Sequence, residues 1–515
     1  MSAADHNAVR WYLDRHLDGP GADAPCLLTE REELDYRALH ALVCRTARVL
    51  TDGGVAPGDR LVVVLPDCVT SVAAILAAMR IGAVPVPMSP LLTLDEQCYV
   101  IEDSGARAVL LDEGRGALAA EAASRFPGTA LWSRTGGTPT VPALPELAAH
   151  AEELAQITPR TAQDPALMQY TSGSTGRPKG VVHLHGALLA LPEGFARHLR
   201  LTAADRILST AKLPFGYGFG NSVLLPLSAG ASAVLHPGRT DPFTVSRLLT
   251  RFRPSLLFSV PTLYAALLAL PDAADRLQLS SVRIAVSSGE HLGEALGTRL
   301  TEELGLPLMN ALGSTECLHS FLATAPGAYR PGASGAPVPG FQAEILDEDE
   351  RPLPPGEWGR LRVRGPGVAT RYWNRPERTA ETFRDGWVYT EDVMRRDPDG
   401  SWHHLGRTDS VLNVGGMKII TAEIEEVLLK VPGVRACAVV GVPDAHELTR
   451  IVAYLVADSP EDELALPERV FAAARAGLPA FKRPGTVRTV PELPTTSTGK
   501  TSRHLIRRTE SERAR

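Results

Sequence analysis

The sequence predicts an α/β architecture of layered sheets followed by a smaller α+β unit, and three observations predict it. Short apolar, valine-rich runs alternate with segments of helical spacing through most of the chain. After about residue 335 the character changes, and glycine and proline crowd between short alternating strands. A final stretch, on the order of 100 residues, carries strand-like runs and an amphipathic helix of its own.

The first of these rests on particular segments. Leu61–Leu65 reads as a buried strand, Ser71–Arg80 as a helix, Ala83–Pro87 as a short apolar run after glycine, Leu94–Asp103 as a helix and Ala108–Leu111 as a strand. Such alternation builds α/β layers with mostly parallel strands. It recurs around Arg206–Ser209, Ser232–Leu235, Ser255–Val260 and Arg283–Ser287. Within Gly335–Gly367, the alternating Ala343–Leu346 and Leu361–Val363 predict a small antiparallel, barrel-like subdomain. In the final unit Thr421–Lys430 reads as a helix, and Ala436–Val442 and Ile451–Ala457 as strands. The charged tail Arg503–Arg515 is expected to fray.

Composition narrows the function class. The chain has 515 residues, 44% apolar and 22% charged, with a formal net charge of -6. That is ordinary for a globular protein and gives no reason to expect nucleic acid or an anionic membrane surface as partner. Cys26, Cys44, Cys68, Cys98, Cys317 and Cys437 are scattered, without CxxC or zinc-ligand spacing. They read as small buried side chains in a reducing cytoplasm. The polar start, Met1 to Asn7, is unlike a signal peptide, and the apolar stretch Val69–Met88 is interrupted by Arg80 and two prolines.

The strongest local signal is Tyr170-Thr171-Ser172-Gly173-Ser174-Thr175-Gly176-Arg177-Pro178-Lys179-Gly180. Its glycines let backbone amides approach an anion, its hydroxyls add donors and Lys179 adds charge, which is what phosphate oxygens need. It is not a Walker A loop. Gly499-Lys500-Thr501 is a decoy, because the first glycine of that motif would fall on Pro494.

This loop resembles the signature of the adenylate-forming superfamily of acyl- and aryl-CoA ligases, carrier-loading adenylation domains and luciferases. Further segments agree in order: Asn310-Ala311-Leu312-Gly313-Ser314-Thr315-Glu316, Tyr389-Thr390-Glu391-Asp392, Gly406-Arg407-Thr408-Asp409, Gly415-Gly416-Met417-Lys418-Ile419 and Pro494 through Lys500. The resemblance implies a nucleotide site formed by Thr171, Ser172, Gly173, Ser174, Thr175, Gly176, Lys179, Ser288, Gly289, Glu290, Asn310, Ala311, Leu312, Asp392 and Arg407. Lys500, Thr315 and Glu316 would be catalytic, with Glu316 the magnesium ligand. Residues 1–408 would bind ATP and acid, and a mobile domain of residues 409–515, hinged at Asp409, would carry Lys500. Glu391 departs from the family, where glycine commonly precedes this aspartate.

The implied chemistry makes physical sense of these residues. A carboxylate oxygen attacks the α-phosphorus of ATP and pyrophosphate leaves, so two anions must be brought together among donors and positive charge. The acyl group then passes to the thiol of CoA. The alternatives are a carrier-protein phosphopantetheine as acceptor, or AMP activation of another small anion such as nitrite.

The middle of the chain is similar to benzoate- and hydroxybenzoate-CoA ligases over Lys212–Asn221, Pro261–Tyr264, Ser288–Glu290 and Gly313–Phe321. That similarity implies a substrate pocket of Gly216, Tyr217, Gly313, His319 and Ser320, with Tyr264 structural. Gly216 stands where benzoate ligases usually carry alanine, which is expected to enlarge the pocket. Ser320 replaces a bulky aliphatic residue and adds a hydrogen-bonding group. The expected acid is therefore a hydroxy- or amino-substituted benzoate. Oligomeric state is not legible in the sequence.

Overall fold

A computed structural model describes residues 5–171, 177–414, 417–443, 449–459, 463–494 and 501–513. Two compact units emerge. The larger comprises Met1–Leu292, Leu296–Ala343 and Val363–Tyr389, and the smaller Gly293–Ala295, Glu344–Arg362 and Thr390–Arg515.

The larger unit is built on a nine-stranded sheet. Its centre is parallel, running Leu308–Gly313, Ile284–Ser287, Leu256–Ser259, Arg206–Ser209, Ser232–Val234 and Pro25–Leu28. Leu256–Ser259 and Ile284–Ser287 are buried at every position, as strands covered on both faces must be. Leu256 and Phe258 enter one hydrophobic cluster and Leu257 the other. Antiparallel strands close the two edges, Ser320–Ala323 with Ala336–Pro337 at one and Glu33–Asp35 at the other.

A four-stranded parallel sheet follows the order Val84–Pro87, Arg60–Val64, Ala108–Leu111, Ala130–Ser133. Here too the side chains split, Leu61 and Val63 to one core, Val62 and Val64 to another. The helix Val69–Arg80 is buried almost all round, which explains its lack of a polar face. The amphipathic helix Tyr36–Asp52 is capped by Asp35, whose side chain accepts from the Ala38 amide. A third sheet is the antiparallel set Arg371–Tyr372, Lys179–Leu184, Pro165–Thr171.

Where a barrel-like subdomain is expected, an open five-stranded sheet stands. Gln342–Leu346, Trp358–Arg364, Trp387–Arg396 and Phe383–Arg384 are consecutive, and Trp402–Arg407 pairs with Trp387–Arg396.

The smaller unit contains a sheet in which Val434–Pro443 pairs antiparallel with Thr449–Ala457, itself parallel to Thr486–Thr489. Helices Thr421–Leu429 and Leu466–Gly477 share one hydrophobic cluster with it. The tail is a correction. Arg503–Arg513 is helical rather than frayed, because Ile506 joins a core and the fully buried Glu510 carboxylate binds Arg450, Arg488 and Tyr454. The Arg488 guanidinium holds the Glu510 carboxyl down to about 2.

Candidate active site

The hairpin Pro165–Thr171/Lys179–Leu184 brings Thr171 opposite Lys179, so both ends of the glycine-rich loop are fixed by strand pairing. Ser172, Gly173, Ser174, Thr175 and Gly176 themselves lie outside the described residues. Lys179 donates from Nζ to the Tyr372 hydroxyl at 2.8 Å, and that hydroxyl donates to Glu316 Oε1 at 2.6 Å. The ammonium stands 3.5 Å from the same carboxylate. Tyr372 comes from the short strand pairing with Lys179–Leu184. Sequence reasoning missed it, because only the fold makes it a neighbour of Glu316.

Thr315–Cys317 forms one 3-10 turn after the strand Leu308–Gly313. Beside it His183 is fully buried, and burial outweighs the nearby Glu316 carboxylate and drives its pKa down to about 4. The Ser314 hydroxyl is buried without a hydrogen-bond partner. Glu316 offers the oxygen donor that magnesium prefers. Among the described residues no group of three or more His, Cys, Asp or Glu side chains stands ready to hold a metal. The donor set therefore fits an ion that takes most of its oxygens from phosphates and water.

Past Cys317 the backbone turns sharply. Leu318 has φ 67°, and the His319 amide donates to the Cys317 carbonyl at 2.7 Å, which makes a γ-turn, a strained form rarely seen away from functional segments. A Cβ placed on Gly216 would lie 2.8 Å from the Leu318 carbonyl oxygen and 3.2 Å from Gln169 Oε1. The room expected at Gly216 is thus already used by these two groups. A Cβ on Gly313 would lie 2.6 Å from the His319 carbonyl oxygen, so glycine is needed there for close backbone approach.

Tyr217 and His319 come together, with ring centroids 5.6 Å apart, and the Phe195 ring centroid lies 4.9 Å from that of His319. His319 Nε2 pairs with Asn221 Oδ1 at 2.9 Å, and Asn221 donates to Ser209 Oγ at 3.2 Å. Burial drives the His319 imidazole down to about 3, so it is neutral near pH 7. Asn221 sits in a π-helical turn, Gly220–Leu224, a deformation frequent at functional sites. Ser320 is buried and its hydroxyl has no partner. Tyr264 is fully buried and donates to the Leu257 and Val286 carbonyls, a structural role.

Ser288 donates its amide to the Ser259 carbonyl, Gly289 has φ 87° and Glu290 accepts from the Thr262 amide and hydroxyl. Asn310 donates from Nδ2 to the Ala333 carbonyl at 2.9 Å, with Ala311 and Leu312 following it in the same strand.

In the smaller unit, strand register sets Asp392 opposite Arg407. His404 Nε2 lies 3.1 Å from Asp392 Oδ1, and the Arg407 guanidinium pairs with Glu391. The departing Glu391 is therefore neutralised by a residue of the predicted set. Asp409 lies in the turn Thr408–Ser410. Gly415, Gly416 and Lys500 lie outside the described residues.

Known proteins resemble this chain along most of its length. A family profile described as AMP-binding enzyme matches residues 13–373, and its C-terminal domain profile matches residues 423–500. The 3-hydroxybenzoate–CoA ligase of Aromatoleum sp. (strain CIB) is 35% identical, over 94% of this chain and 93% of that one. The benzoate–CoA ligase of Thauera aromatica is 35% identical, over 98% and 96%. The crystal structure of the anthranilate CoA ligase AuaEII in complex with anthranoyl-AMP has a TM-score of 0.90 at 29% identity, covering 99% of this chain and 98% of that one. Profile coverage of most of the chain and full-length relatives at this identity make the conclusion plain: the chain belongs to the AMP-binding enzyme family.

Proposed function

We propose that this enzyme joins an aromatic carboxylate, a hydroxy- or amino-substituted benzoate, to AMP and then to CoA. In the first step a carboxylate oxygen bonds to the α-phosphorus of ATP and the bond to pyrophosphate breaks. In the second the CoA thiol loses its proton, its sulfur bonds to the acyl carbon and AMP leaves. One observation carries the reading. The short segment Gly313–Ser320 holds Glu316, bound to Lys179 through Tyr372, and, a few residues on, His319 packed against Tyr217. A charged pair and a packed aromatic pair thus draw on one eight-residue segment.

The roles follow from the chemistry. Lys179 supplies positive charge to phosphate, with Thr171 and the loop between them supplying donors. Magnesium, when bound to Glu316, would neutralise charge on the phosphates. Thr315 contacts the α-phosphate. Asp392 accepts from ribose hydroxyls with Arg407 beside it, and Ser288–Glu290 with Asn310–Leu312 border the adenine. Tyr217 stacks on the acid ring while Gly216, Gly313, His319 and Ser320 bound it. Lys500 bridges carboxylate and α-phosphate as charge develops. A swivel of residues 409–515 about Asp409 then clears Lys500 so that a thiol can enter. No helix among the described residues is long and apolar enough to cross a membrane, and all six cysteines are free, which suits a reducing cytoplasm.

A panel of benzoates tests this reading, assayed with ATP and either CoA or a holo carrier protein. The expected outcome is highest kcat/KM for a hydroxy- or aminobenzoate with CoA as acceptor. Highest kcat/KM for unsubstituted benzoate would refute the substrate assignment, and transfer only to the carrier would refute the acceptor.

A further inference from the structure

Gln169 lies in the strand Pro165–Thr171, has no exposed surface, and both its amide oxygen and its amide nitrogen lack hydrogen-bond partners. An unpaired buried amide is costly and calls for an explanation. Its surroundings supply one. Gln169 Oε1 stands 3.2 Å from where a Gly216 Cβ would be, beside the Leu318 carbonyl, at the residue that starts the helix carrying Tyr217. A side chain at 216 would press on this amide, which would have to give by a few tenths of an ångström.

We propose that Gln169 is a specificity-determining residue that reads a hydroxyl group on the ring of the aromatic acid, Oε1 accepting its O–H and Nε2–H donating to its oxygen. This rests on the aromatic-acid reading above and narrows it. A hydroxyl satisfies both halves of the amide at once. An amino group chiefly donates and satisfies Oε1, and a bare ring satisfies neither. A site built around a buried polar pair discriminates against the analogue lacking the group, because the pair is then left unsatisfied.

The experiment compares wild type with Gln169→Leu on benzoate, 3- and 4-hydroxybenzoate and 2-aminobenzoate, reading kcat/KM and thermal unfolding of the whole chain. In wild type a hydroxybenzoate should be the best acid. In the leucine variant its kcat/KM should fall by about tenfold or more while benzoate stays within about threefold, and Tm should hold or rise because an unpaired amide is gone. Gln169→Met, apolar and of similar length, gives the same reading if the leucine variant does not fold. Equal losses on all four acids, or an unchanged hydroxybenzoate-to-benzoate ratio, would overturn the inference while leaving the aromatic-acid reading intact. A wild-type enzyme that activates no aromatic acid would overturn both.

Discussion

Lys179 and Glu316 alone, 3.5 Å apart and partly buried, would be a modest ion pair. The Tyr372 hydroxyl between them gives each charge a hydrogen bond of its own, which orients both groups. Lys500, which lies outside the described residues, is proposed to bridge the carboxylate and the α-phosphate. Lys500→Ala should lower ATP/pyrophosphate exchange by about 100-fold or more, as loss of a transition-state donor does, while ATP binding by calorimetry persists. Exchange at near wild-type rate would remove Lys500 from the mechanism. Lys179 was legible because its loop is dense in glycines and hydroxyls, whereas Glu316 was named from the resemblance of its segment to the family. Tyr372, Asn221 and Gln169 were not legible, since each acquires its meaning from a partner far off in the chain, nor was His404, which meets Asp392 only through the pairing of two strands. The room at Gly216 was misjudged for the same reason. A glycine reads as space, and only the fold says what fills it.

At the scale of elements, the parallel strands were read well. Leu61–Leu65 is observed as Arg60–Val64 and Ala108–Leu111 as read, because strands buried on both faces are continuous apolar runs. Thr421–Lys430 likewise appears as the helix Thr421–Leu429. The γ-turn at Leu318 and the π-helical turn Gly220–Leu224 have no such periodicity and left no trace. The tail was misread because its charges look solvated in sequence, whereas Glu510 meets Arg450 and Arg488 only in the folded sheet. The turn Thr408–Ser410 is the element on which the two half-reactions are proposed to pivot. Asp409→Pro, which fixes φ there, should reduce adenylation and thioester formation by different factors, measured by pyrophosphate exchange and by single-turnover transfer from acyl-AMP. Equal losses would place the pivot elsewhere.

Across the whole molecule, buried histidines are expected to weaken the fold toward acid pH. Burial lowers His183 and His185 to about 4 and His319 to about 3 from an ordinary 6.5. Below about pH 6.5 the unfolded chain therefore binds protons that the folded chain refuses, and stability falls as pH falls. Asp67, raised by burial to about 6, works the other way between about 6 and 3.8, but stands alone against these three and against His16, His40 and His236, which burial also lowers. Tm should decline steadily from pH 7 to pH 5. A flat or rising Tm over that interval would mean that these imidazoles find solvent or partners in solution.

In the proposed mechanism a carboxylate oxygen becomes bonded to AMP. Turnover of a hydroxybenzoate labelled with oxygen-18 in its carboxylate, in the presence of ATP and CoA, tests it most directly by mass spectrometry of the products. One labelled oxygen is expected in AMP and none in pyrophosphate, whereas label in inorganic phosphate or pyrophosphate, or ADP in place of AMP, would rule the mechanism out.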